Sequence, residues 1–429
     1  MNGSATTVNG NAVNTSTLTL ALGAQTGTLV LGGATPFTIS GTGTSTITLN
    51  GTSATVNYNS SSAQTIRGTT YTTLKINNSA GATLGAAATV TTLTIGDVTS
   101  SSVFSDGGFQ VTSTGTLNLT SGTFKLGNST ATTFPAFATR NISSGTTVEY
   151  ASSVAQTVSI TPSYQNLTFS GAGTKTTASG TLSVAGDWAA GSTTALNTNN
   201  TIVSLTGNLS GSGNITQGTG LITVGGDWTN TGTFTASSAG VTLTGSSKQI
   251  TGASGGITFT TLTVSGTYTN NNAATLTVST ALSGGGTLTN PASGTLAIGG
   301  TSGITTLTAT ASGNTVNFNG SGAQTIPAFS YNNLTLSNAV DTSAANYKTA
   351  ANTLTVGGTL TINSGNTLDM GSFASSTFGG SSTNSGKIRW SADNVYVGGT
   401  GTTEFYGSTA GNVVAGTSYG NLWFTGSGT

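Results

Sequence analysis

The sequence predicts an all-β chain wound as a parallel β-solenoid. Three observations carry that prediction. Apolar residues alternate with Thr, Ser or Asn at period two along almost the whole chain. Gly, Ser and Asn interrupt the alternation roughly every nine to eleven residues, the spacing of short strands joined by tight turns. One longer block returns five times, and repetition on that scale marks a fold built of stacked units.

The elements follow in order. Thr17-Leu18-Thr19-Leu20 leads to Thr28-Leu29-Val30-Leu31, Phe37-Thr38-Ile39 and Thr46-Ile47-Thr48-Leu49. The pattern continues through Thr116-Leu117-Asn118-Leu119, Thr181-Leu182-Ser183-Val184, Thr275-Leu276-Thr277-Val278 and Thr359-Leu360-Thr361-Ile362. In an extended chain, residues i and i+2 face the same way, so each segment has one apolar and one hydroxyl face. Thr, Val and Ile are β-branched and suit a pleated surface. Pro36, Pro135, Pro162, Pro291 and Pro327 mostly stand beside these segments, as a hydrogen-bonded ladder requires. No segment has helical periodicity.

The clearest copy of the long block reads Thr315-Val316-Asn317-Phe318, Ala323-Gln324-Thr325-Ile326, Tyr331 and Leu334-Thr335-Leu336. Copies start near residues 55, 147, 240, 315 and 403. Their shared positions are Gln64, Gln156, Gln249 and Gln324, and Tyr71, Tyr164, Tyr331 and Tyr419. The fifth copy has Asn412 in place of Gln and ends on Leu422-Trp423-Phe424. A shorter motif, Val-x-Gly-Asp-Trp, places Trp188 after Asp187 and Trp228 after Asp227.

A string of tandem β-sandwich domains is the alternative, one domain per long repeat. Gln spacing favours the solenoid. Gln156 to Gln249 spans 93 residues, but Gln249 to Gln324 only 75. A solenoid loses a strand and turn without harm because each rung touches only its neighbours, whereas a sandwich loses part of its core. Rungs of about 20 to 30 residues are expected, in one continuous solenoid over residues 1–429, a segment of a longer repeat protein.

Composition narrows the function. Charged residues make up 4% of the chain, the net charge is zero, and there is no His or Cys. Neutrality argues against nucleic-acid binding, which needs clustered Lys and Arg. No apolar run is long enough for a membrane-spanning helix, so no membrane insertion is expected. Without His, neither a Ser-His-Asp triad nor a histidine metal site exists. Asp187 and Asp227, in like motifs, are the best carboxylate pair for a glycosidase, but Asp before Trp reads more simply as a turn residue, with Trp covering a rung edge. No catalytic residue, cofactor or metal is expected.

Each Gln reads as satisfying a turn near its Tyr. Thr-x-Thr pairs such as Thr275/Thr277 and Thr353/Thr355 would set hydroxyl rows on an outer face, which looks like the ice-binding surface of some β-helical antifreeze proteins. Lys75, Asn118 and Glu149 interrupt other rows.

The block from Thr315 to Leu336 and the segment from Val224 to Trp228, on a Thr, Gly, Ser and Asn background, resemble repeat-rich bacterial surface and secreted proteins. These include β-strand-repeat proteins in the style of autotransporter passengers and filamentous haemagglutinins. The resemblance implies a right-handed solenoid in an extracellular or cell-surface setting. The expected role is structural and non-enzymatic, as a subunit of a filament, sheath or layer. Open rung ends near Val8 and at Leu422, Trp423 and Phe424 are the expected head-to-tail self contacts. The alternative is an adhesin that binds glycans or other surface proteins through exposed aromatics, with Trp188, Trp228, Trp390 and Tyr396 the candidates.

Overall fold

The computed structural model describes residues 27–34, 36, 45–98, 101–192, 194–373, 376–391, 400–406 and 420–425, and the strand backbones at 6–7, 12–13, 18–21 and 39–40. The chain forms two compact units, Met1–Thr216 and Gln217–Thr429. Each is a β-solenoid of short strands. The strand ladders are parallel throughout, which excludes the tandem-sandwich alternative for either unit, since sandwiches are built from antiparallel pairs. A single 3₁₀ turn, Ala344–Asn346, is the one helical element among the described residues.

In the first unit one face stacks Thr28–Leu31, Thr55–Tyr58, Thr70–Ile76, Ala88–Ile95, Thr116–Leu119 and Thr139–Ile142. A second face stacks Gln64–Ile66, Ala82–Leu84, Val103–Ser105, Thr123–Leu126, Thr147–Tyr150 and Asn166–Phe169. A third ladder joins Gln156–Val158, Lys175–Thr177, Ala195–Asn197 and Asn214–Thr216. The period-two alternation drives this arrangement. In Thr55–Tyr58, Val56 and Tyr58 are buried while Thr55 and Asn57 are half-exposed. Register keeps like over like, so Val56, Leu74, Leu93 and Leu117 form one inward column.

Rung length varies more widely than expected. Thr55 pairs with Thr73, 18 residues on, whereas Thr28 pairs with Thr55, 27 residues on. The ladders stay in register across both lengths. The long repeat is also not a whole number of rungs. The first copy sets Thr55–Tyr58 on the first face, but the second sets Thr147–Tyr150 on the face begun by Gln64–Ile66. The block is therefore a local module of strand, corner and strand that works on any face.

The second unit repeats the design. Thr295–Ile298, Thr315–Phe318, Asn333–Leu336, Leu360–Ile362 and Ser382–Asn384 form one ladder. The 15-residue strand Thr275–Thr289 bends around two corners, pairing in turn with Thr295–Ile298 and with both arms of Thr301–Thr308. A last ladder runs through Lys348–Ala350, Thr367–Asp369, Lys387–Trp390, Thr402–Phe405 and Asn421–Phe424.

Burial of the inward columns holds each unit together. Phe104 and Phe124 stack at 5.3 Å between ring centroids, and both are fully buried. Emptying such a site removes transfer energy and leaves a cavity that the flanking rungs cannot collapse, so Phe124→Ala costs about 3–5 kcal/mol. The outward Thr139→Ser in the same unit shifts stability by less than about 0.5 kcal/mol. Urea unfolding monitored by circular dichroism checks the pair, and equal midpoints for the two variants would contradict this assignment of the core.

Candidate functional site

Three local structures absorb most of the residues singled out by sequence. The first is the corner after each Thr-Val-x-aromatic strand. Parallel ladders satisfy backbone groups along strands but not around corners, where buried carbonyls need other donors. Gln324 supplies them. Its Nε2 donates to Ile298 O and Gly300 O, each at 2.8 Å, and its Oε1 accepts from Gly320 N at 2.9 Å and Lys348 Nζ at 2.8 Å. All four hydrogen-bonding positions of the amide are thus filled. Gln64 does the same with Leu31 O and Gly33 O, and Gln156 with Leu126 O and Thr132 O.

Gln249 departs from the set. It lies on the exposed side of Lys248–Thr251. In the other copies a Thr separates Gln from the inward Ile or Val, so both point in; here Ile250 follows Gln249 directly, and the lost residue flips the Gln outward. Tyr268, from the following rung, takes over. Its hydroxyl donates to Gly226 O at 2.9 Å, lies 3.2 Å from Val224 O, and accepts from Gly245 N at 3.1 Å.

The Tyr residues close a second device. Arg67 N donates to the Tyr58 hydroxyl (3.1 Å), which meets the Tyr71 hydroxyl (3.2 Å), which donates back to Arg67 O (2.7 Å). Ser159, Tyr150 and Tyr164 form the same ring at 3.0, 2.7 and 2.7 Å. In the fourth copy Pro327 stands where Arg67 and Ser159 stood and has no N–H to give; Phe318 correspondingly lacks the accepting hydroxyl. Tyr331 keeps only its bond to Pro327 O, at 2.7 Å. Tyr419 lies outside the described residues, as do Val8 and Tyr396.

Two lysines were not singled out by sequence. Lys175 is in register with Gln156, and Lys348 with Gln324. Both are buried. Lys175 Nζ donates to Ser152 O and Gly173 O at 2.8 Å; Lys348 Nζ donates to Gly320 O, Gly322 O and Gln324 Oε1. Burial without a carboxylate partner pushes each ammonium down to about 8. Their signal was parity: in Lys175–Thr177 and Lys348–Ala350 the Lys occupies an inward position. Asp106 was missed likewise. It is buried, accepting from Gly108 N at 2.9 Å, Gly127 N at 2.7 Å and the Thr132 hydroxyl.

The Gly-Asp-Trp motif is structural. Asp187 Oδ1 accepts from Asn208 N at 2.8 Å, and Asp227 Oδ1 from Gln249 N at 2.8 Å. The two aspartates belong to different units. Trp188 and Trp228 are fully buried, and Trp390 nearly so. Trp188 packs edge-on to Phe169 at 5.3 Å, and Trp228 against Phe259 at 5.1 Å. The expectation that these Trp residues cover rung edges or form an exposed glycan-binding patch is therefore corrected: their inward parity makes them core.

The third structure is the end of the last ladder in the second unit. Charge concentrates there. Arg389 bonds Glu404 at 2.7 Å and Asp369 at 3.1 Å, with its guanidinium 3.9 Å from the Tyr406 ring centroid. Lys387 lies 3.3 Å from Glu404 and 4.9 Å from the Trp423 ring centroid. Burial opposes ionisation of Glu404, but bonds from Thr425 and Arg389 and the charges of Arg389 and Lys387 outweigh it and hold its pKa below the ordinary value. Beyond this cluster lies Asn421–Phe424, paired on one side with Thr402–Phe405 and on its other side with no described strand. Phe424 stacks on Phe405 at 5.5 Å yet remains 63% exposed, and Trp423 is 50% exposed. Comparison with protein-family models, with curated proteins and with solved structures yields no match.

The buried lysines and tyrosines give stability a distinctive alkaline profile. Between about 8 and 10 the unfolded lysines, with pKa 10.5, hold protons that the folded ones release, so raising pH favours the folded state. Above 10 the unfolded tyrosines ionise while burial keeps Tyr58, Tyr71, Tyr150, Tyr164 and Tyr331 protonated, so stability then falls. Urea midpoints taken across this range should rise, peak near pH 10 and decline, and K175M/K348M should lose the rise. A flat or falling profile from pH 8 to 10 in the unaltered chain would refute the assignment.

Proposed function

We propose that this chain is an extracellular structural protein, a subunit of a surface filament, sheath or layer that grows by head-to-tail addition of strand edges. The observation that carries the reading is the strand Asn421–Phe424, whose second edge no described strand covers. Its sequence, Asn-Leu-Trp-Phe, matches Asn166–Phe169 and Asn333–Leu336, which have neighbours on both sides and whose Leu167, Phe169, Leu334 and Leu336 are fully buried. The end strand thus has the composition of a covered rung and lacks a described cover.

Parallel stacking fixes the geometry of what could cover it. One edge of a parallel ladder complements only the opposite edge, so a second copy adds head to tail, and such a contact propagates instead of closing. At the other end of the chain, Thr6–Thr7, Ala12–Val13 and Leu18–Ala21 each pair with one described strand and supply edges of that kind. Covering Phe424 would contribute about 1.5–3 kcal/mol, with further gain from paired backbone. Zero net charge offers little repulsion to oppose it. The extracellular setting and surface class rest on the resemblance of the repeats alone.

Electron microscopy and sedimentation of the purified chain test the reading. Filaments are expected for the unaltered chain, and F424D should abolish them without lowering the unfolding midpoint. Strictly monomeric particles at high concentration, or filaments indifferent to F424D, would overturn it.

A further inference from the structure

We infer that the second unit carries an ice-binding face, formed by the outward threonines of Thr267–Asn270, Thr287 to Thr289 and Thr306 to Thr308. This inference is independent of the filament reading and uses a different surface. The three segments are parallel and in register: Thr267 pairs with Thr287 and Thr287 with Thr306, while Thr269 pairs with Thr289 and Thr289 with Thr308. The intervening Tyr268, Leu288 and Leu307 are buried, which pins the six threonines outward. The second column continues through Ser330, Thr355 and Thr377, all exposed.

Three features together mark this array. Thr269, Thr287, Thr289, Thr306 and Thr308 make no side-chain hydrogen bond to other described residues, so their hydroxyls are left to solvent. The first unit offers one such column, not two. Its in-register Thr28, Thr55, Thr73, Thr92, Thr116 and Thr139 run beside a column where Asn141 bonds Asn118, Asn118 bonds Thr94 and Lys75 pairs with Asp97. Next, no charged or aromatic residue occupies an outward position in the three segments. A sugar lattice is normally gripped by flat aromatic rings, so their lack favours water as the ligand. Finally, glycines border the array. A Cβ at Gly266 would lie 1.8 Å from Gly245 O, and one at Gly286 2.0 Å from Gly266 O, so no side chain can rise beside the threonines at that corner.

The spacing suits frozen water. Oxygens joined by hydrogen bonds of about 2.75 Å in a tetrahedral network place second neighbours about 4.5 Å apart. Adjacent rungs repeat at about 4.7–4.9 Å. Along the strand, outward residues recur at about 6.6 Å, against about 7.3 Å for the stacking repeat of the same network, and the threonine side chain spans the difference. Each Thr offers a hydroxyl that enters the lattice and a methyl that excludes disordered water between hydroxyls. The stiffness of a close-packed rung interior holds the array in place before ice arrives.

Slow growth of ice from a dilute solution of the chain, with protein measured in the ice and in the remaining liquid, tests the inference. The unaltered chain should enter the ice. T287K/T289K should be left in the liquid while retaining its circular dichroism spectrum and unfolding midpoint; T289K alone serves if the pair disturbs folding. T28K/T139K, on the first-unit face whose neighbouring column includes Asn and Lys, should enter the ice as the unaltered chain does. Rejection of the unaltered chain from ice, equal uptake of folded T287K/T289K, or binding to insoluble cellulose in place of ice would overturn it.

Discussion

Parallel stacking satisfies the backbone only where a strand has a strand above and below it. At the corners after Leu31, Leu126 and Ile298 the ladder stops, and buried carbonyls remain. The recurrent amide of Gln64, Gln156 and Gln324 answers this constraint, holding one carbonyl at a strand end and another just beyond it. Where a lost residue turns Gln249 outward, a phenol from the next rung reaches the same kind of carbonyl pair. The atoms differ and the task persists, which identifies the task as the thing the repeat maintains.

The same logic explains polar groups inside an otherwise apolar interior. Lys175 and Lys348 cap carbonyls one rung beyond Gln156 and Gln324, and Asp106 collects amide hydrogens at its own corner. These side chains are neutralised by hydrogen bonds more than by opposite charge. A buried ammonium ringed by carbonyl oxygens still bears a desolvation cost, and this cost gives the unit its alkaline response. Salt bridging proper is an outward feature, concentrated around Arg389 beside the last ladder of the second unit.

The period-two pattern of the sequence was enough to read strand, face and core, because parity alone decides which side chain meets the interior. Val56 with Tyr58 and Leu334 with Leu336 follow from it directly. What parity does not reveal is which partners an inward polar residue finds. Gln64 shares the inward phase of Ile66, but nothing local marks its bonds to Leu31 O and Gly33 O, 33 and 31 residues earlier. The Asp before Trp188 and before Trp228 suggests a turn, yet each Trp opens a strand on its inward phase. The offset of Gln249 was visible as a missing residue, and only its consequence, the substitution by Tyr268, needed coordinates. Likewise the sequence does not distinguish the two-column threonine array from the mixed face of the first unit; register sets Asn141 beside Asn118 in one and Thr289 beside Thr308 in the other.

The two proposals drawn from this fold concern a strand edge and a face made by repetition. The strand Asn421–Phe424, paired with a described strand on one side, and the in-register threonine rows are two exposed features of the second unit. Both depend on corners that hold the rungs in register. The unfolding free energy of Gln324→Leu tests that dependence most directly, because Leu preserves the volume and removes every bond of the amide. A loss of about 3 kcal/mol is expected from the donors and acceptors left unpaired at Gly300, Gly320 and Lys348. Stability equal to or greater than that of the unaltered chain would show that the corner does not need its amide, and would contradict the account.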